Sequence, residues 1–149
     1  MRIDDHIIAL LQSKHIPFTD FTHEPVFTSE QASRIRGVEL RSGVKALCLK
    51  NSRGEFLMAL VRADKKADLN KISELEQSPV KLAAPADVLE QTGCEIGSVP
   101  PFGFARQLKT YLDRDILNEG DVNFNIGLHT RSLRMAAKDL LKVIDAILV

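Results

Sequence analysis

The chain has 149 residues, of which 20 are basic and 20 acidic, so its formal net charge is zero and composition alone makes no electrostatic case for nucleic acid or a membrane surface. A chain of this length buries one core without disulfide or metal staples. Cys48 and Cys94 have no metal-ligand spacing, and no apolar leader or long apolar run is present, which predicts a reduced, cytoplasmic protein with no metal, no cofactor and no membrane partner. The charge is unevenly spread: ten basic and four acidic residues fall between Arg34 and Lys71.

In chain order, Ile3, Ile7, Leu10 and Leu11 recur at helical spacing and Pro17 ends the pattern, predicting a helix over 3–14 and then a short strand over 18–22. Thr28 and Gln31 have capping-box spacing, so a helix is predicted over 29–36, stopped by Gly37. The runs VKALCLK (44–50) and FLMALVR (56–62) flank NSRGE and predict a β-hairpin. Asp68 and Pro85 suit the starts of helices over 68–75 and 85–91. Strands are predicted over 109–112, 122–126 and 132–135, then a closing helix over 136–148. Hairpins outnumber βαβ units, so the expected fold is α+β: one domain spanning 1–149, three layers α/β/α with a mixed, largely antiparallel sheet.

Several residues carry candidate chemistry. Alternation along 44–50 puts Lys45 on one face with Leu47 and Leu49, which is either a lysine snorkelling to water or one held at the rim of an apolar pocket to meet an oxygen. GSVPPFG (97–103) spends five of seven positions on glycine, proline and phenylalanine. It is either a stiff connector or a loop whose glycines bare main-chain amides that its prolines hold in place. His6 and His15 read as surface residues, and His23 as a partner of backbone beside a turn. His129, in a loop after Gly127, is a candidate substrate contact. Lys65 and Lys66 belong to a solvated turn or to a phosphate-binding one. No zinc spacing, no Ser-His-Asp or Cys-His order and no Walker or dinucleotide loop is present.

The stretches THEPVFTSEQA, GVKALCLK, ADKKADLNKI, GCEIGSVPPFG and NIGLHTRSLRM, in this order, resemble the YbaK/prolyl-tRNA synthetase-associated editing domain family over about residues 3–147. Within it, the segments look most like the branch that clears serine or threonine from mischarged tRNA. The resemblance implies a trans-editing hydrolase that cleaves the ester between a wrong amino acid and the 3′-terminal adenosine of tRNA, with the tRNA acceptor end, and a synthetase, as partners. It places the functional lysine on Lys45 and the main-chain substrate loop on Gly97, Ser98 and Gly103. Pro100, Pro101, Phe102, His129, His23, Lys65 and Lys66 become expected substrate contacts. The implied chemistry uses backbone amides, an oriented water and the substrate's own 2′-hydroxyl, which agrees with the lack of a nucleophile-base pair. A non-catalytic module binding aminoacyl-tRNA or a synthetase is the competing reading, and a hydrolase of free aminoacyl esters the third. One tyrosine and no tryptophan argue against binding long single strands by stacking.

Overall fold

A computed structural model describes all 149 residues. Its first helix, α1 (Ile3–Ser13), buries Ile7 and Leu11 and leads into β1 (Phe18–Thr22). Helix α2 (Ser29–Arg36) starts at Thr28, whose side chain accepts from Gln31 N, and ends at Gly37 with φ 66°, a left-handed cap that glycine adopts without strain. The Gln31 carboxamide accepts from Phe27 N at 2.9 Å, one residue earlier than in a standard capping box. Strands β2 (Val44–Asn51) and β3 (Phe56–Arg62) form the expected hairpin. They are followed by α3 (Leu69–Glu76), β4 (Val80–Leu82), α4 (Pro85–Thr92) and β5 (Lys109–Leu112). The chain finishes with β6 (Asp121–Leu128), β7 (Arg131–Ala136) and β8 (Ala146–Leu148).

The α+β class and the mixed pairing are as expected, but the strands divide between two sheets. One has the order β4-β2-β3-β5-β8, with parallel pairs only at β3-β5 and β5-β8; the other, β1-β7-β6, is antiparallel throughout. An isolated parallel bridge between Gly43 and Asn123 joins them. Leu49, Leu57, Ala59 and Tyr111 on one face of the larger sheet pack beneath Ile72 of α3. Cys48, Met58, Leu60 and Leu112 on the other meet α1, α4 and the apolar side of the smaller sheet, notably Phe124, Ile126 and Leu133. Because both faces are covered, β3 reads as an unbroken apolar run rather than an alternating one.

The closing helix predicted over 136–148 does not form. Ala137–Lys142 is a 3₁₀ turn, and Ala146–Leu148 becomes β8, paired in parallel with Thr110–Leu112. Val143, Ile144, Ile147 and Val149 are β-branched, and pairing with β5 satisfies an edge that a helix would have left open. Strand β4 was not predicted; three residues pairing with Leu49–Asn51 are too few to show periodicity.

Candidate active site

A cavity of about 220 Å³ lies at the seam between the two sheets. Helix α2 forms one wall with Thr28, Ser29, Ala32, Ser33 and Arg36, which share a face at helical spacing. The opposite wall is β2 from Val44 to Cys48, and Ile96, Gly97 and Val99 close a third side. Such a volume is smaller than a drug-sized pocket and suits an amino-acid-sized group.

The β2 wall is a strand edge left open. Its odd-numbered residues bond toward β3, as Ala63 N donating to Gly43 O at 2.8 Å and Asn51 N donating to Glu55 O at 3.0 Å show. Even-numbered residues therefore face the other way, and Ala83 N donates to Cys48 O at 3.0 Å on that side. Strand β4 covers this edge no further back than Cys48, while β6 meets it only beside Gly43. Between them the N–H and C=O of Ala46 are directed into the gap, where the cavity lies. Gly43 permits the seam to close: a Cβ there would stand 2.9 Å from Ala63 Cβ.

Lys45 is half-buried on the cavity rim, and no carboxylate or hydrogen-bond acceptor holds its ammonium. Of the GSVPPFG loop, only Gly97 and Val99 line the cavity. Neither residue's amide donates to another main-chain group. Gly97 has φ 86°, in the region where a side chain would be strained. The rest of the loop turns inward. Ser98 is 1% exposed and donates through Oγ to Glu95 O at 2.8 Å, and Phe102 is fully buried against Phe124. Pro100 and Pro101 are buried too. A Cβ on Gly103 would collide with Ile7 Cγ1 at 2.4 Å, so that glycine is demanded by helix packing. Ser98, Pro100, Pro101, Phe102 and Gly103 thus support the loop without reaching the cavity.

His129 stands outside the wall, behind Phe27, whose ring centroid is 4.6 Å away, and behind Gly97. Its nitrogens face the Val26 carbonyl at 3.1 Å and the Glu95 carboxylate at 3.2 Å. Lys65 and Lys66 line a different cavity, with Ile72 and Tyr111 on the α3 side, and Lys65 is ion-paired with Asp115. His23 lies deeper. Its Nδ1–H donates to Glu24 O at 2.6 Å, and its Nε2 accepts from the Ser132 hydroxyl, also at 2.6 Å.

That serine leads to the residue that sequence reasoning missed. Arg36 donates from Nε to Ser132 Oγ at 2.8 Å, from Nη1 to Asn123 Oδ1 at 2.9 Å and from Nη2 to Asn125 Oδ1 at 2.7 Å. Burial lowers its pKa to about 10, which still leaves it charged at neutral pH. No carboxylate pairs with it; three neutral oxygens and the C-terminal end of α2 compensate the charge. The available signal was in β6, where Asn123 and Asn125 alternate with buried Val122, Phe124 and Ile126. Asparagine is a poor strand residue, so two on one face ask for a partner.

The cavity holds no ionised nucleophile. Cys48 lines it, but burial first, and then Asp87, push the thiol up to about 11; burial likewise raises that of Cys94. No three His, Cys, Asp or Glu side chains converge on a metal position. What remains is a half-buried cation, main-chain donors on two walls and a fixed guanidinium, the equipment for holding an electron-rich carbonyl and a water.

The aminoacyl-tRNA editing domain model matches residues 23–143. The chain belongs to that family. The multifunctional Ser/Thr-tRNA deacylase ProXp-y of Escherichia coli strain K12 is 36% identical to this editing domain over 148 residues, covering 96% of this chain and 89% of the relative. A proline--tRNA ligase from Xanthomonas axonopodis pv. citri is 29% identical over 60% of this chain but only 16% of its own length. A solved structure described as a candidate trans-editing enzyme for prolyl tRNA synthetase superposes with TM-score 0.86 at 27% identity, covering 100% of this editing domain and 96% of that structure. No helix is long and apolar enough to cross a membrane.

Proposed function

We propose that this editing domain, acting as one unit over residues 1–149, is an aminoacyl-tRNA deacylase that hydrolyses the ester linking a wrong amino acid to the 3′-terminal adenosine. The observation that supports it most is the convergence of Lys45 with the unpaired amides of Gly97, Val99 and Ala46 around a cavity of amino-acid size. Water adds to the ester carbonyl, and charge builds on its oxygen beside these donors. The carbonyl–O3′ bond breaks as the ribose oxygen takes a proton relayed through the 2′-hydroxyl, releasing the free amino acid and intact tRNA. An ester already has a good leaving group, so orientation and oxyanion stabilisation suffice. Lys45 meets the electron-rich oxygens of the substrate at the rim, the carbonyl or the terminal phosphate.

The tRNA acceptor end is the proposed partner, and a synthetase that releases mischarged tRNA the second. The cytoplasm, where tRNA is charged, is the proposed setting. The E. coli relative's name makes serine and threonine the first amino acids to try. The test is deacylation of a panel of mischarged tRNAs by wild type and Lys45→Ala. Wild type should clear at least one of them, and the variant should be at least about tenfold slower with an unchanged melting curve. Tight binding without hydrolysis of any member would identify a binding module instead, and equal turnover of the free aminoacyl ester and the tRNA a small-molecule hydrolase.

A further inference from the structure

Resting on the deacylase reading, we propose that Arg36 with Asn123 and Asn125 selects the amino acid to be removed by its side-chain hydroxyl. A guanidinium has five N–H donors. Arg36 spends three on Ser132, Asn123 and Asn125, leaving one on each terminal nitrogen. Each asparagine oxygen accepts once from Arg36 and keeps a second lone pair. The amide orientations are fixed from behind, with Asn123 Nδ2 donating to Ser42 Oγ at 2.8 Å and Asn125 Nδ2 donating to Leu128 O at 3.0 Å. All three side chains line the cavity. One wall therefore offers a spare donor beside a spare acceptor.

A hydroxyl uses both at once, accepting from the guanidinium and donating to a carboxamide oxygen. A methyl group uses neither and leaves them unpaired. An ammonium is repelled by Arg36. A carboxylate can take the spare guanidinium donors but has no proton to give the asparagine oxygens, and a carboxylate-bearing side chain is larger than a hydroxymethyl. With the α-ammonium and the ester carbonyl also to be housed in about 220 Å³, the side chain must be small. Placing it against Arg36 turns the substrate's α-ammonium away from that cation, toward the gap in β2 where the Ala46 carbonyl is free. The His23–Ser132 pair holds the arrangement: with Nδ1 donating to Glu24 O, Nε2 accepts from the Ser132 hydroxyl, and a lone pair of Oγ is left to Arg36 Nε.

The discrimination is large where a buried site is built around a substrate hydroxyl, about 10⁴-fold or more in sites that are fully closed. For this open cavity we expect seryl and threonyl esters to be preferred over alanyl by at least about 100-fold in kcat/KM on one tRNA body. Asn125→Asp keeps the volume but loses the Nδ2 donor that anchors it to Leu128 O, so the carboxylate turns from that carbonyl onto Arg36 and competes for the spare donors; the seryl-to-alanyl ratio should then fall at least about tenfold. Arg36→Gln should collapse it similarly. Affinities for non-hydrolysable 3′-seryl- and 3′-alanyl-amide analogues of adenosine, measured by calorimetry, give the same comparison without catalysis. Melting curves verify folding, and the volume-conserving Asn125→Asp carries the test if Arg36→Gln does not fold. A wild-type ratio near one, or a ratio in folded Asn125→Asp within about twofold of wild type, overturns the inference while leaving the deacylase reading intact. No hydrolysis of any aminoacyl-tRNA, with normal preference for the seryl amide, would overturn the deacylase reading alone.

Discussion

Replacing Glu76 by glutamine should cost this protein most of the stability that one carboxylate can supply, and the cost should vanish in acid. Glu76, the last residue of α3, has a side chain only 3% exposed and faces Lys109 Nζ at 2.6 Å and Arg53 Nη2 at 3.5 Å. It also accepts from Asn51 Nδ2 at 3.1 Å and from the Tyr111 hydroxyl. Burial opposes its charge, but the hydrogen bonds from Lys109, Tyr111 and Asn51 outweigh burial and hold the carboxyl at about 2 instead of 4.5. At roughly 1.4 kcal/mol for each pH unit between those values, the ionised group contributes about 3 kcal/mol. That is a large part of the 5–15 kcal/mol typical of a whole domain. Because the folded-state value is the lower one, this stability is complete above pH 4.5, is lost as pH falls toward about 2, and is absent below. Urea unfolding of wild type and Glu76→Gln should therefore differ by about 3 kcal/mol at pH 6.5, a midpoint shift of roughly 1 to 3 M for ordinary m-values. The difference should close as pH approaches 2. Asp64 and Asp115 are also held below their ordinary values, by Arg62 and Lys65, but neither interacts with Glu76, so they titrate alike in both proteins and cancel. Glu55, which shares Asn51 and Arg53 with Glu76, is lowered further once the Glu76 charge is gone, a smaller effect than the loss of Glu76 itself. A difference that stays constant from pH 6.5 to 2 would refute the reasoning.

With both thiols raised by burial, hydrolysis should not depend on a thiolate: Cys94→Ala and chelator-treated protein should keep at least about half of wild-type kcat, and a folded Cys94→Ala without activity would point to a thiol nucleophile. Affinity for tRNA should fall steeply with salt, and Lys66→Ala should weaken all tRNAs alike while reducing the slope of log K against log salt by about 1. Lys65→Ala should do less, since Asp115 already pairs with that ammonium; an equal effect of the two variants in binding titrations would contradict this.

Local signals in the sequence were legible because the physics behind them is local. Thr28, Gly37, Asp68 and Pro85 each act within one helical turn, and each does what its position predicts. The β2-β3 hairpin was readable for the same reason. The helix expected over 136–148 fails because its outcome depends on β5, whose residues pair with partners 36 positions later in sequence (Thr110 with Ala146) and which needs a partner on its outer edge. The site shows the same division. Lys45 and Gly97 could be named from their own surroundings, but GSVPPFG does not reveal which of its residues face a cavity and which a core. Arg36 escaped notice because its partners lie 87 to 96 positions away, and an arginine ending a helix looks like an ordinary dipole partner.

The opening in β2 also bears on how this protein avoids sticking to other chains. An unpaired strand edge is a template on which foreign strands add, which is why proteins shorten, charge or cover such edges. Here β4 reaches back to Cys48 and β6 arrives beside Gly43, so the unguarded stretch is centred on Ala46, with α2 forming the facing wall. A gap that short offers about two main-chain hydrogen bonds. Those are enough to seat the polar end of an amino acid and too few to recruit a strand. The three residues of β4 thus set a compromise: a longer β4 would pair the edge and fill the cavity, and a shorter one would leave a run of bare backbone open to self-association.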